Sequence, residues 1–234
     1  MGNIVLNIPH SSINGIFDEE IGGWYENPFF INGPVRDLTD WYTDMLFSIN
    51  GIENVTPVVF NYSRFVCDVE RMENDPMEKE GQGIIYSYYG GYVRHLRPEN
   101  KEKILKLRED HLSRIAENIS DDGSTVLIDC HSFKQTDDDA PDICIGFNDD
   151  FSYDERVVDL LLNEFNFSGY STALNRPYAN TLTPVKDKEY KSVMIEVNKR
   201  IYMDVGTLLL NSNPRQWMRW YGCLGRIYRG ILAM

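Results

Sequence analysis

Thr125-Val126-Leu127-Ile128-Asp129 is a short run with an apolar centre that leads directly into Cys130-His131-Ser132. Runs of this kind predict strands buried on both faces, which belong in a sheet covered by helices on either side. Such a strand hands the residues at its C-terminal end to the crevice where open α/β sheets carry out chemistry. The chain does this twice. Ile4-Val5-Leu6-Asn7-Ile8-Pro9 is a second apolar run, and it ends at His10, followed by Ser11-Ser12. Only 4 histidines occur in 234 residues, and two of them stand at predicted strand ends. That placement points to a metal-dependent hydrolase.

The rest of the chain extends the same pattern. Strands are predicted over 3–8, 55–60, 64–69, 125–130, 142–147, 170–174 and 192–197. Helices are predicted between them. Over 36–50, Leu38, Trp41, Met45 and Ile49 recur at helical spacing. Over 98–119, Pro98 opens the segment and Ile104, Leu105, Leu112, Ile115 and Ile119 form the apolar stripe. Segments 153–166 and 213–231 complete the set. The Gly- and Tyr-rich stretch 72–97 reads as irregular and as a candidate loop over the site. Alternating strands and helices predict an α/β fold with a mixed, mostly parallel sheet in a three-layer α/β/α sandwich. With 42% hydrophobic residues, the chain can bury one large core, so a single domain over 1–234 is expected.

Charge narrows the partners. A net charge of −13 argues against nucleic acid, whose phosphates need clustered Lys and Arg, and against an anionic membrane surface. The start, Met1-Gly2-Asn3-Ile4, lacks a signal peptide's basic and long apolar regions, and Leu6 breaks the myristoylation pattern. No segment approaches the roughly 20 apolar residues of a spanning helix. Cys67, Cys130, Cys144 and Cys223 include no CxxC pair, and the first three sit in strand-like runs as expected buried free thiols. A cytoplasmic protein acting on a small molecule is the expectation.

Several polar residues have the setting that chemistry needs. If 36–50 is one helix, Asp37, Asp40 and Asp44 fall within about 60° of arc beside its apolar sector. They read either as a solvated acidic face near a helix N-terminus or as the carboxylate that completes a His, Asp, His zinc site. Glu196 lies inside the apolar run Ser192–Asn198, where a buried carboxylate needs a partner. That partner is either a buried arginine or the chemistry of a metal site, with Glu196 as general base. Arg64 and Arg71 bracket Phe65–Glu70 and are candidates for holding a substrate carboxylate or an oxyanion; a surface pair of Glu70 or Asp68 with Arg71 is the alternative. Asn175-Arg176-Pro177 is a polar turn suited to a substrate loop. The chain has no GxGxxG, Walker loop or nucleophile elbow, so nucleotide-dependent and serine-esterase classes lose ground.

In order along the chain, Asn7-Ile8-Pro9-His10-Ser11-Ser12, Leu38-Thr39-Asp40-Trp41-Tyr42-Thr43-Asp44, Ser63-Arg64 through Arg71, Leu127-Ile128-Asp129-Cys130-His131-Ser132 and Met194-Ile195-Glu196 resemble the N-formylglutamate amidohydrolase family. The likeness runs from residue 4 to about 204 and includes Asn175-Arg176-Pro177 and Ile201-Tyr202-Met203-Asp204. That family is similar in turn to the zinc carboxypeptidases, with their phosphorylase/hydrolase-like fold. The resemblance implies His10 and His131 as zinc ligands and Glu196 as the base that activates water. It implies Arg64 near the scissile carbonyl and Arg71 on a substrate carboxylate, with Ser132, Asn175 and Arg176 in substrate contact. Carboxypeptidases place a glutamate three residues after the first histidine, where this chain has Ile13. The third ligand is therefore expected from the helix, Asp44 ahead of Asp40. Position 70 is Glu where carboxypeptidases and many relatives carry Asn.

These implications amount to zinc-promoted hydrolysis of an N-acyl amino acid such as N-formylglutamate. Two rivals stand beside it: a zinc peptidase acting on a short or cell-wall peptide, and a non-catalytic binding protein of the same fold.

Overall fold

The computed structural model describes residues 2–135, 137–182 and 187–234. The chain forms two compact units. One comprises Met1–Ile8, Thr43–Pro57 and Ile115–Met234; the other comprises Pro9–Tyr42 and Val58–Arg114. The strands among the described residues are β1 (Asn3–Ile8), β2 (Val55–Val59), β3 (Tyr88–Tyr89), β4 (Tyr92–Val93), β5 (Thr125–Phe133), β6 (Ile143–Gly146), β7 (Thr172–Leu174) and β8 (Lys191–Asn198).

A six-stranded sheet in the order β2-β1-β5-β8-β6-β7 organises the first unit. Its centre is β5, in which all nine residues are buried, as its apolar run predicts. β1 and β8 flank β5 in parallel, β6 runs antiparallel to β8, and β7 is parallel to β6. The expected α/β fold with a mixed, mostly parallel sheet and helices on both sides is therefore present. Two pairings matter below: Asn7 stands opposite Asp129, and His131 stands opposite Glu196.

Local chemistry sets where the helices begin. The Asn213 side chain accepts the Arg215 N–H and Pro214 takes the first turn, opening Pro214–Leu232. The Asp154 side chain accepts the Arg156 N–H ahead of Glu155–Phe167. Trp220 and Tyr228 on the C-terminal helix are buried, and each spends its polar atom on a carbonyl of Thr43–Phe47. Trp220 Nε1 donates to Leu46 O at 2.7 Å and Tyr228 Oη to Phe47 O at 2.8 Å.

Two expectations fail. Residues 36–50 are not one helix. A helical stretch runs from Pro28 to Leu38, with a π-turn over Ile31–Val35 that absorbs Pro34, and then stops. Thr39 turns extended (ψ 132°) while its hydroxyl donates to Val35 O, and Tyr42 takes φ +64° before the short helix Thr43–Phe47 begins. Asp37, Asp40 and Asp44 consequently share no helical face. Nor is 64–69 a strand. Ser63 draws this segment into a turn: its carbonyl accepts the N–H groups of Val66 and Cys67, and its hydroxyl accepts that of Phe65.

The second unit packs Phe65 against Trp24, Phe30 and Tyr86 in an aromatic cluster. Its stretch 72–97 holds the short hairpin β3–β4, closed by Gly90 and Gly91, both at positive φ. Arg94 ties that stretch down. The buried guanidinium donates to the carbonyls of Gly22, Ile21, Tyr86 and Val66. Burial lowers its pKa to about 10, which leaves it charged at neutral pH.

Candidate metal centre and substrate site

Asp68 is the hub of the second unit. It is fully buried and accepts hydrogen bonds at both oxygens. Oδ1 meets His10 Nε2 at 3.1 Å and the Glu70 N–H at 3.3 Å. Oδ2 accepts from Arg64 Nη2 at 2.8 Å and from the Tyr86 hydroxyl at 2.9 Å, with Arg71 Nε at 3.6 Å. Burial alone would raise the pKa of this carboxyl. The Arg64 and His10 charges and their hydrogen bonds overcome that and hold it well below the usual carboxylate range. Burial likewise opposes the Arg64 cation, and Asp68 outweighs it, so Arg64 stays charged.

An ionised Asp68 accepts only, so the nitrogen facing it must carry the proton. His10 therefore donates from Nε2, and its Nδ1 is turned to the other side. Two carboxylates lie on that side: Glu70 Oε2 at 3.5 Å and Asp40 Oδ2 at 3.8 Å. The Asp40 N–H also donates to the His10 carbonyl at 2.9 Å, tying the two segments together. His10, Asp68 and Glu70 each offer a ligand atom within 4.8 Å of the others, so buried His/Asp groups able to hold a metal ion are present. A nitrogen and several carboxylate oxygens make a donor set that zinc accepts.

The first unit brings together a second group. Asp129 and His131 are two apart on β5 and share a face, and the register sets Glu196 of β8 beside His131 on that face. All three are buried, as is Ser132, whose side chain alternates to the opposite face. His131 Nε2 lies 3.3 Å from Asp129 Oδ1.

The remaining expected residues are placed as follows. Asp40 is buried and beside His10, whereas Asp44 is exposed and opens the helix Thr43–Phe47. The break at Thr39–Tyr42 separates them. Arg64 is bonded to Asp68 through Nη2, while its buried Nε meets no acceptor among the described residues. Arg71 is partly exposed, with ion pairs to Asp68 and Asp75 both at 3.6 Å, longer than a good hydrogen bond. Asn175 and Arg176 are exposed; Asn175 Oδ1 accepts the Phe147 N–H and Arg176 Nη2 donates to Asp139 O. All four cysteines are buried and free, and burial raises Cys67 to about 12, so it carries no thiolate chemistry.

Sequence reasoning missed three residues of this arrangement. Asp68 enters the sequence reading only as an alternative surface partner of Arg71, and its central place rests on the turn over 64–69. Tyr86 sits in a stretch without periodicity and gave no signal. Asp129 was read only as the polar end of a strand, although its i, i+2 spacing to His131 was visible.

The model of the N-formylglutamate amidohydrolase family matches residues 3–203. Among solved structures, the chain resembles the N-formylglutamate amidohydrolase from Ralstonia eutropha JMP134, with a TM-score of 0.73 at 18% identity, over 99% of this chain and 92% of that one. It also resembles a gene product from Agrobacterium tumefaciens, with a TM-score of 0.61 at 17% identity, over 98% of this chain and 92% of that one. At these identities both likenesses speak for the fold. No curated protein matches the chain. Among the described residues, no helix is long and apolar enough to cross a membrane.

Proposed function

The chain belongs to the N-formylglutamate amidohydrolase family, and from that premise we propose that it is a zinc-dependent enzyme cleaving the amide bond of an N-acyl amino acid, N-formylglutamate first among them. One observation carries the metal part of the reading. His10 is gripped at Nε2 by a buried, ionised aspartate, the arrangement that orients histidine ligands in metal sites, and its other nitrogen faces carboxylates. His10, Asp40 and His131 are the proposed ligands, with Asp40 taking the place expected for Asp44. His10 follows β1 by two residues, and His131 lies on β5, which runs parallel to β1. The family match over 3–203 draws on both compact units, which supports reading the chain as one catalytic domain.

When bound, zinc supplies Lewis acidity, acidifying water and polarising the scissile carbonyl. Glu196, buried beside His131, takes the proton of the attacking water and returns it to the leaving amine. Arg64 keeps Asp68 ionised through Nη2 and offers its Nε–H to the negative charge that develops on the carbonyl oxygen. Arg71, loosely paired, offers its planar fork to the substrate's α-carboxylate. Arg176 completes the proposed substrate contacts; the contact expected of Ser132 is set aside, because its side chain lies on the other face of β5 from His131. Asn175 offers its amide NH2, while its oxygen accepts the Phe147 N–H.

The test is a substrate panel with zinc-loaded protein. N-formyl and N-acetyl amino acids should be hydrolysed and dipeptides should not. Preferential cleavage of dipeptides or cell-wall peptides would move the reading to a peptidase, and hydrolysis of nothing in the panel would favour a binding protein.

A further inference from the structure

The Asn7 side chain is fully buried in β1, an apolar strand whose other buried side chains are Ile4, Val5, Leu6 and Ile8. Burying an amide costs free energy unless its hydrogen bonds are made. Asn7 makes one in a telling place: Nδ2 donates to Asp129 Oδ1 at 2.7 Å. The other oxygen, Oδ2, accepts the Leu182 N–H at 3.0 Å. Two donors, one from β1 and one from the segment between β7 and β8, therefore fix the plane of the Asp129 carboxylate. Oδ1, the oxygen that Asn7 holds, is the one that lies 3.3 Å from His131 Nε2.

We infer that Asn7 and Asp129 are a positioning pair that fixes the orientation and tautomer of His131, so that its Nδ1 is the metal-binding nitrogen. This rests on His131 being a ligand, as proposed above. A carboxylate that receives N–H bonds from Asn7 and Leu182 presents lone pairs to His131, so the imidazole satisfies it by placing its proton on Nε2. The lone pair is then on Nδ1. The strand register explains the economy of the device. Asn7 stands directly opposite Asp129 on the parallel neighbour, and Asp129 stands two residues from His131 on the same face. Both side chains are positioning residues that act through His131.

The test measures zinc affinity by competition with a chromophoric chelator, alongside the thermal midpoint of the metal-free protein. Asp129→Asn keeps the volume and removes the fixed acceptor, so zinc binding should weaken by about 10- to 100-fold, the usual effect of losing an outer-shell partner. Asn7→Leu should weaken it less but in the same direction. The decisive comparison uses a His131→Ala background, in which zinc binding is already weak. If Asp129 acts through His131, Asp129→Asn has no further effect on affinity there. An equal loss in both backgrounds, or wild-type affinity for both single variants, overturns the inference. If Asp129→Asn has no effect while His131→Ala loses zinc, only the positioning role falls. If His131→Ala itself keeps full affinity, the ligand assignment falls and takes this inference with it.

Discussion

Replacing Asp68 with asparagine should cost more stability than most single changes in this protein, and the arithmetic follows from its surroundings. The carboxylate is fully buried and receives His10 Nε2, the Glu70 N–H, Arg64 Nη2 and the Tyr86 hydroxyl. Asparagine keeps one acceptor oxygen and turns an NH2 toward the donors at the other. Whichever way the amide faces, a pair of donors loses its acceptor, and the largely buried Arg64 cation loses its counter-charge. Breaking a buried ion pair from one side costs about 3–5 kcal/mol. For a chain of this size that corresponds to roughly 6–20 °C in the thermal midpoint. Equilibrium urea unfolding of the metal-free protein measures it. The pH dependence gives an independent check on sign. The folded pKa of Asp68 is depressed below its ordinary 3.8, so its contribution is fully present above about pH 4 and is lost as the pH falls toward the folded value. The gap between wild type and Asp68→Asn should still be present at pH 5 and narrow in stronger acid. A loss under about 1 kcal/mol at neutral pH would refute the view that Asp68 organises this unit.

Four other substitutions probe different parts of the account. Asp40→Asn should weaken zinc binding by at least about tenfold in a chelator competition, while Asp44→Asn, on an exposed side chain, should leave it unchanged; the reverse result would restore Asp44 as the ligand. Arg71→Lys should raise KM for an N-acyl amino acid by about tenfold and barely affect its α-amide, because an ammonium lacks the planar fork; equal effects on both would make Arg71 structural. Arg94→Leu removes the donors to four carbonyls and should destabilise the protein by about 2–4 kcal/mol in urea unfolding, by analogy with other buried polar groups left unsatisfied; a neutral change would mean that the stretch 72–97 is held by other contacts.

The most legible part of the sequence was the sheet. Strands 3–8, 125–130 and 192–197 are apolar runs whose burial leaves little choice of structure, and His10, His131 and Glu196 stood out because polar residues there need a reason. The regions that misled did so through local backbone chemistry. Hydrophobic spacing over 36–50 fits a helix, yet the Thr39 hydroxyl caps the preceding turn and Tyr42 adopts a positive φ. That single break buries Asp40 beside His10 and leaves Asp44 exposed. In 64–69 the apolar residues are buried as a strand would bury them, but Ser63 captures their N–H groups in a turn. The same turn converts Asp68 from an apparent surface acid into a buried hub, a change invisible to periodicity. Tyr86 reaches Asp68 from an irregular stretch that carries no pattern at all.

The central claim, amide hydrolysis that depends on zinc, is met most directly by one titration. The protein is stripped with a chelator, and its rate on N-formylglutamate is followed as zinc is returned in measured amounts. The account predicts that the stripped protein is inactive and that activity rises linearly to a plateau at about one zinc per chain, the usual stoichiometry of a three-ligand catalytic site. Full activity in the stripped protein, or no activity at any zinc level on any N-acyl amino acid, would contradict it.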